Sequence, residues 1–201
     1  MPGRGRIEPV RQNPTFTVYA GPMFSTKTSR LLLDIERAKH QKKRVVVFKP
    51  ALDDRYSTVE VTSHMGWSYP AKMVRDAADV LQALTDEPSP PDVVAVDEAF
   101  MVRGIAEVLI WLFRSGISVV AATLDLSFSG KPFPEVERML PWATRVEKCA
   151  SVCVVCGCDA YYTHKKHVSG EEIEVGGPEL YEPRCFSHHI AIDNRPEIHE
   201  G

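Results

Sequence analysis

The sequence lacks any apolar run approaching the roughly 18 residues of a membrane span, which excludes a helical membrane protein. Behind the basic start Met-Pro-Gly-Arg-Gly-Arg there is no apolar stretch either. That argues against a signal peptide and for a cytoplasmic location. Charge imbalance is also missing: 24 Lys and Arg stand against 27 Asp and Glu, a formal net charge of −3. This argues against a strongly basic nucleic-acid binder while leaving room for a local basic patch. Internal repeats and low-complexity tracts are absent. Cysteine is scarce, with 5 in 201 residues, all in the last third of the chain. In a reducing compartment such clustering points to a metal rather than to disulfides. What is present is ordinary for a soluble globular chain: 44% hydrophobic and 25% charged residues, enough to bury a core without a staple.

Along the chain, apolar runs alternate with helical periodicity. Phe16–Ala20 reads as a short strand closed by Gly21-Pro22. From Thr26 to His40, Leu31, Leu32, Ile35 and Ala38 share a helix face, with Ser29, Arg30, Asp34 and Glu36 outside it. Val45–Phe48 reads as a buried strand stopped by Pro50, and residues 51–70 as loop. Asp76 is an N-cap for a helix through Ala77, Val80, Leu81 and Leu84. Val93–Val96 and Val119–Ala122 are two more buried strands, separated by an amphipathic helix over Ile105–Phe113 that ends at Gly116. Strands alternating with helices imply βαβ units and a parallel α/β sheet. The texture changes near residue 150. We therefore expect a flexible arm over 1–14, an α/β domain over 15–148, a cysteine-bearing domain over 149–190 and a tail over 191–201.

Two segments carry phosphate chemistry. Gly21-Pro22-Met23-Phe24-Ser25-Thr26-Lys27-Thr28 follows a strand and opens a helix, the setting of a P-loop. There backbone N–H groups and the helix N-terminus surround phosphates, the lysine reaches the outer phosphates, and the next hydroxyl serves Mg²⁺. Thr26 stands where glycine is usual, and a β-branched residue is costly if φ is positive. Val93–Val96 then ends in Asp97-Glu98. Ligands of open α/β sheets bind at the carboxyl ends of strands. Asp97 is thus placed to organise Mg²⁺, and Glu98 to take a proton from a nucleophile.

The cysteines suggest a metal. Cys153-Val-Val-Cys156 and Cys185-Phe-Ser-His188 supply three thiolates and one imidazole, the donor set of a closed, structural zinc site. His189 is the alternative to His188, and Cys149 and Cys158 are left over. No thioredoxin-like setting supports a redox role. The cluster Lys165-Lys166-His167 reads as a solvated basic face.

Taken together, these motifs resemble the thymidine kinase family in its type II, zinc-containing class. The resemblance runs from about residue 15 to 189. It rests on the 21–28 loop, Lys49-Pro50 with Asp53-x-Arg55, Asp97-Glu98-Ala99, Leu124-Asp125-x-x-Phe128, Lys131-Pro132-Phe133, the CxxC, Ala160-x-x-Thr163, Gly176-Gly177-x-x-x-Tyr181 and the last metal pair. The family implies a P-loop domain plus a small zinc domain with a lasso-like loop. Its reaction passes the γ-phosphoryl group of ATP, with Mg²⁺, to the 5′-hydroxyl of thymidine or deoxyuridine, in the service of nucleotide salvage. It also implies a homotetramer and feedback by dTTP. By this resemblance Gly21, Met23, Phe24, Ser25, Thr26, Lys27, Thr28 and Asp97 hold ATP and Mg²⁺, Glu98 is the base, and Arg55 stabilises the transferred charge. Met23, Leu124, Phe128, Phe133, Thr163, Val175, Gly176, Gly177 and Tyr181 line the nucleoside pocket. Taken alone, Phe128 and Phe133 fit a core equally well.

The chain departs from the family pattern at Thr26, at Phe100 (usually Gln), at Met101 (usually aromatic), at Thr123 (commonly Gly) and at Phe186 (usually Arg). Two other readings stay open on the residues alone. One is an ATP hydrolase in which Glu98 activates water. The other is a non-catalytic binding module in which Thr26 has weakened turnover.

Overall fold

The computed structural model describes residues 13–51, 60–62, 66–166 and 175–189. Residues 1–12 of the arm expected over 1–14, the tail over 191–201, Asp53, Arg55 and His167 lie outside these. In chain order the elements are β1 (Phe16–Ala20), α1 (Lys27–His40), β2 (Val45–Pro50), β3 (Glu60–Thr62), β4 (Ser68–Pro70), β5 (Lys72–Val74), α2 (Ala77–Thr85), β6 (Val93–Val96), α3 (Ile105–Arg114), β7 (Ser118–Thr123), α4 (Pro134–Met139) and β8 (Arg145–Lys148). Four short strands follow: β9 (Ser151–Val152), β10 (Asp159–Ala160), β11 (Tyr162–Lys165) and β12 (Tyr181–Arg184).

Six strands form one parallel sheet in the order β5-β2-β6-β7-β1-β8. Helices cover both faces, as a parallel sheet requires. The two-residue period of the strands divides the core between those faces. Val94 and Val96 of β6, with Phe16 and Val18 of β1, pack against Leu109 and Leu112 of α3. Val93 and Ala95 of β6, with Tyr19 of β1, pack against Leu31, Leu32 and Ile35 of α1.

Local chemistry fixes the ends. The Asp76 carboxylate accepts from the N–H groups of Ala78 and Asp79 at 3.0 and 3.3 Å, the N-cap expected for α2. α3 is capped from outside: buried Glu135 of α4 accepts from Gly104 N and Ala106 N, both at 2.9 Å. A carboxylate there also suits the positive end of the helix dipole. Gly116, at φ 90, turns the chain out of α3.

Several elements differ from expectation. Residues 51–70 are not all loop: β3 and β4 pair antiparallel, and β5 adds a sixth parallel strand at the edge beyond β2. Pro50 ends β2 from within rather than stopping it beforehand. Ser29 is buried although the helical pattern puts it outside the apolar face. Beyond the sheet, β9–β10 and β11–β12 are two-stranded antiparallel ribbons. None of the described helices is long and apolar enough to cross a membrane.

Candidate active site and metal centre

The sheet order brings three strand ends together. β1 sends its chain across to β2, and β6 and β7 return towards it. In register, Ala20 lies beside Thr123, and Val96 beside Ala121. The loops after β1, β6 and β7 therefore emerge side by side, at the kind of switch point where α/β sheets bind ligands.

The loop after β1 is tightly determined. A Cβ on Gly21 would sit 2.3 Å from the Cys149 carbonyl oxygen, so only glycine fits there. The buried Lys27 ammonium donates to the Pro22 carbonyl at 2.5 Å and to Ser25 Oγ at 3.3 Å, and Ser25 Oγ donates to the same carbonyl at 2.7 Å. Burial pushes the Lys27 pKa down, against the opposing pull of the Glu98 and Asp97 carboxylates. Thr28 Oγ1 donates to Asp97 Oδ1 at 3.1 Å, joining the start of α1 to the end of β6. Hydroxyl and carboxylate oxygens are the hard donors that Mg²⁺ takes, so this pair fits the ion that the loop pattern implies.

Strain concentrates here. Among the described residues four non-glycines have positive φ, and three of them belong to this site: Phe24 (63°), Thr26 (62°) and Glu98 (47°). Each such conformation costs about 1–3 kcal/mol and persists only where the surroundings over-determine it. The threonine in the glycine position is thus held left-handed, the costly case for a β-branched side chain.

Next to the loop lies a small apolar cluster of Leu124, Phe133 and Val136, with Met23 and Phe100 packed against it. The Phe100 and Phe133 rings are 4.5 Å apart between centroids. Phe100, which departs from the family pattern, is therefore built into the same wall as Met23, Leu124 and Phe133. Ribbon β11–β12 joins the wall from the cysteine-bearing segment. Thr163 Oγ1 accepts from Met23 N at 3.1 Å. Buried Lys165 lies with its ammonium 5.0 Å from the centre of the Phe128 ring, within cation–π range. This corrects the reading of Lys165 as part of a solvated face; Lys166 is exposed and donates to the Pro178 carbonyl at 2.6 Å. Tyr181 is buried and pairs in register with Lys165.

The two glycines serve their own turn. A Cβ on Gly176 would lie 2.3 Å from Leu180 Cδ1, while Leu180 N and Tyr181 N donate to the Gly177 carbonyl at 3.1 and 3.0 Å. Val175 is exposed.

The metal ligands proposed from spacing meet. One donor atom from each of Cys153, Cys156, Cys185 and His188 falls in a group spanning no more than 4.8 Å. Cys185 Sγ is 3.1 Å and Cys153 Sγ 3.8 Å from His188 Nδ1, and Cys156 Sγ is 3.6 Å from Cys185 Sγ. Three soft sulfurs and an imidazole at such separations suit a tetrahedral zinc ion. Burial raises the Cys153 thiol, but backbone groups of Cys185, Val155 and Cys156 outweigh it and bring the pKa down to about 6, towards the thiolate a metal needs. His189 is occupied elsewhere, its ring 4.9 Å from that of Tyr162. Cys149 is buried in the α1 face of the core, and Cys158 is exposed and outside the cluster.

Sequence reasoning missed Lys165 and also Ser151, whose hydroxyl donates to the Phe24 carbonyl at 3.1 Å. Lysine in a basic run and serine beside a CxxC carry no signal that marks them as inward-facing. Compared with known families, the chain matches a family model described as thymidine kinase over residues 15–189.

Proposed function

The chain belongs to the thymidine kinase family, and from that premise we propose that it transfers the γ-phosphoryl group of ATP to the 5′-hydroxyl of thymidine, yielding dTMP. The single observation that carries this reading is the contact of Thr28 with Asp97, with Lys27 and Glu98 beside it, where the start of α1 meets the end of β6. One side supplies groups suited to phosphate, and the other supplies a carboxylate near the apolar wall of Leu124 and Phe133.

In this reading the N–H groups of the 21–28 loop and the Lys27 ammonium hold the triphosphate. Lys27 exchanges the Pro22 carbonyl for phosphate oxygens. Thr28 and Asp97 would hold Mg²⁺, which neutralises charge developing on the phosphoryl oxygens. Glu98 accepts the proton of the 5′-hydroxyl as that oxygen attacks phosphorus. Arg55 supplies a guanidinium at the transferred group by family resemblance. Met23, Leu124, Phe128, Phe133, Thr163 and Tyr181 surround the base, where aromatic and aliphatic area supplies binding and a few polar groups set orientation. Cys153, Cys156, Cys185 and His188 would hold zinc as a structural staple, with no open position for substrate. A cytoplasmic homotetramer with dTTP as feedback ligand completes the reading; these points rest on the family alone.

The test is dTMP formation by the purified chain with Mg-ATP and thymidine. Product above a Glu98→Gln control supports the proposal. ADP released equally well without nucleoside overturns it in favour of a hydrolase.

A further inference from the structure

Left-handed backbone at Phe24 and Thr26 brackets Ser25 in the middle of the phosphate loop. Such a conformation needs external restraint. Three restraints on the loop come from residues that follow β8 in the chain. The Cys149 carbonyl packs on Gly21. The Thr163 hydroxyl accepts from Met23 N at 3.1 Å. The Ser151 hydroxyl donates to the Phe24 carbonyl at 3.1 Å, across 127 positions of sequence.

The Ser151 bond differs from the others in what it connects. Ser151 lies on β9, whose partner β10 closes the turn that carries Cys153, Cys156 and Cys158. Inside that turn Cys153 N donates to the Cys158 carbonyl at 2.8 Å and Gly157 N to the Cys153 carbonyl at 2.9 Å. A single residue, Val152, therefore separates Cys153 of the Cys₃His cluster from the hydroxyl that grips the strained peptide.

We propose that Ser151 is a positioning residue for the phosphate loop and that through it the metal cluster sets the loop's affinity for nucleotide. The hydroxyl pins the Phe24 peptide and so keeps the left-handed backbone around Ser25 populated. An ordered metal knuckle holds β9, and β9 holds the loop. A loosened knuckle lets the Phe24 carbonyl go and spreads the loop over conformations whose N–H groups no longer converge. The inference rests on the reading of residues 21–28 as a nucleotide loop.

The experiment uses the full chain in wild-type, Ser151→Ala and Ser151→Thr forms, with and without metal removal by chelator. Mg-ATP affinity is titrated calorimetrically, and amide exchange is followed by mass spectrometry. Loss of one hydrogen bond predicts an affinity drop of about 3- to 10-fold in Ser151→Ala. Ser151→Thr keeps the hydroxyl and restores affinity. Faster exchange in Ser151→Ala is confined to the peptide containing Phe24. Chelation weakens nucleotide binding in wild type and weakens it less in Ser151→Ala, since the link is already cut. Equal affinity and equal loop exchange in wild type and Ser151→Ala overturn the positioning role. Strictly additive effects of chelation and substitution overturn the coupling. Absence of Mg-ATP binding by wild type refutes the nucleotide reading itself, and the exchange measurement still decides whether Ser151 holds the loop.

Discussion

The two parts of the molecule are held together by different means. In the sheet, buried aliphatic side chains recur at strand and helix periods, and Val94, Val96, Leu109 and Leu112 have almost no exposed surface. In the cysteine-bearing segment, Val152, Val154, Val155 and Phe186 are exposed, and two-stranded ribbons surround a Cys₃His cluster. A two-stranded ribbon alone is marginal in water. The difference teaches that area burial serves where the chain has length enough, and that the short segment with little of it is where a set of converging metal donors stands.

The sharpest way to break the comparison is to remove a metal ligand. Structural zinc contributes roughly 10–16 kcal/mol in small peptides at neutral pH. Cys153→Ser should therefore lose bound zinc by elemental analysis and lose amide protection in β9–β12, while β1, β6 and β7 stay protected. Unchanged metal content and melting would refute the site. Glu98→Gln should lower kcat by about 10²- to 10⁴-fold, the usual worth of a general base, with little change in melting temperature. A parallel loss of stability would make Glu98 structural instead.

Leu109→Ala tests the other side. A fully buried leucine of α3 should cost about 2–5 kcal/mol by denaturant unfolding and leave metal content intact. Thr26→Gly should stabilise by about 1 kcal/mol, since it relieves left-handed strain but frees the unfolded chain; no gain in melting temperature would mean that the conformation is already compensated.

The smallest effect is a charge at the foot of α2. The Arg75 side chain and N–H hold Asp79 down at about 2, below the unfolded value of about 3.9. A depressed carboxylate contributes stability above its unfolded pKa, and that contribution fades as pH falls through the folded one. Asp79→Asn should be slightly less stable than wild type at neutral pH, with the gap closing between about pH 4 and pH 2. A gap that persists at lower pH would point to packing instead of charge.

What was legible follows from the same contrast. Val45–Phe48, Val93–Val96 and Val119–Ala122 announce themselves because strands buried on both faces are continuously apolar. The Cys₃His cluster is legible because two short spacings, Cys-x-x-Cys and Cys-x-x-His, suffice to bring its donor atoms together. β8 was missed because Arg145, Val146, Glu147 and Lys148 lie at the sheet edge and are largely exposed, so no apolar run marks them. α4 is a single short helix opened by Pro134, with only Val136 and Met139 as deeply buried apolar residues, too few to show a period. Within the site, Lys27, Thr28 and Asp97 are residue types whose chemistry is written in their identity. Ser151 and Lys165 matter only through tertiary contacts, and no local pattern encodes those.

The place of β1 has a consequence for biosynthesis. It is the first of the six strands to be translated and the last to gain both neighbours, since β8 pairs along its outer side over Thr17–Ala20. Until residues 145–148 have left the ribosome, a nascent chain already carrying Lys27, Asp97 and Glu98 presents β1 as an open hydrogen-bonding edge beside the 21–28 loop. Such an edge is a template for pairing with another chain. A product terminated between β7 and β8 would thus hold Lys27, Asp97 and Glu98 and still expose the edge of β1 that β8 covers in the finished sheet.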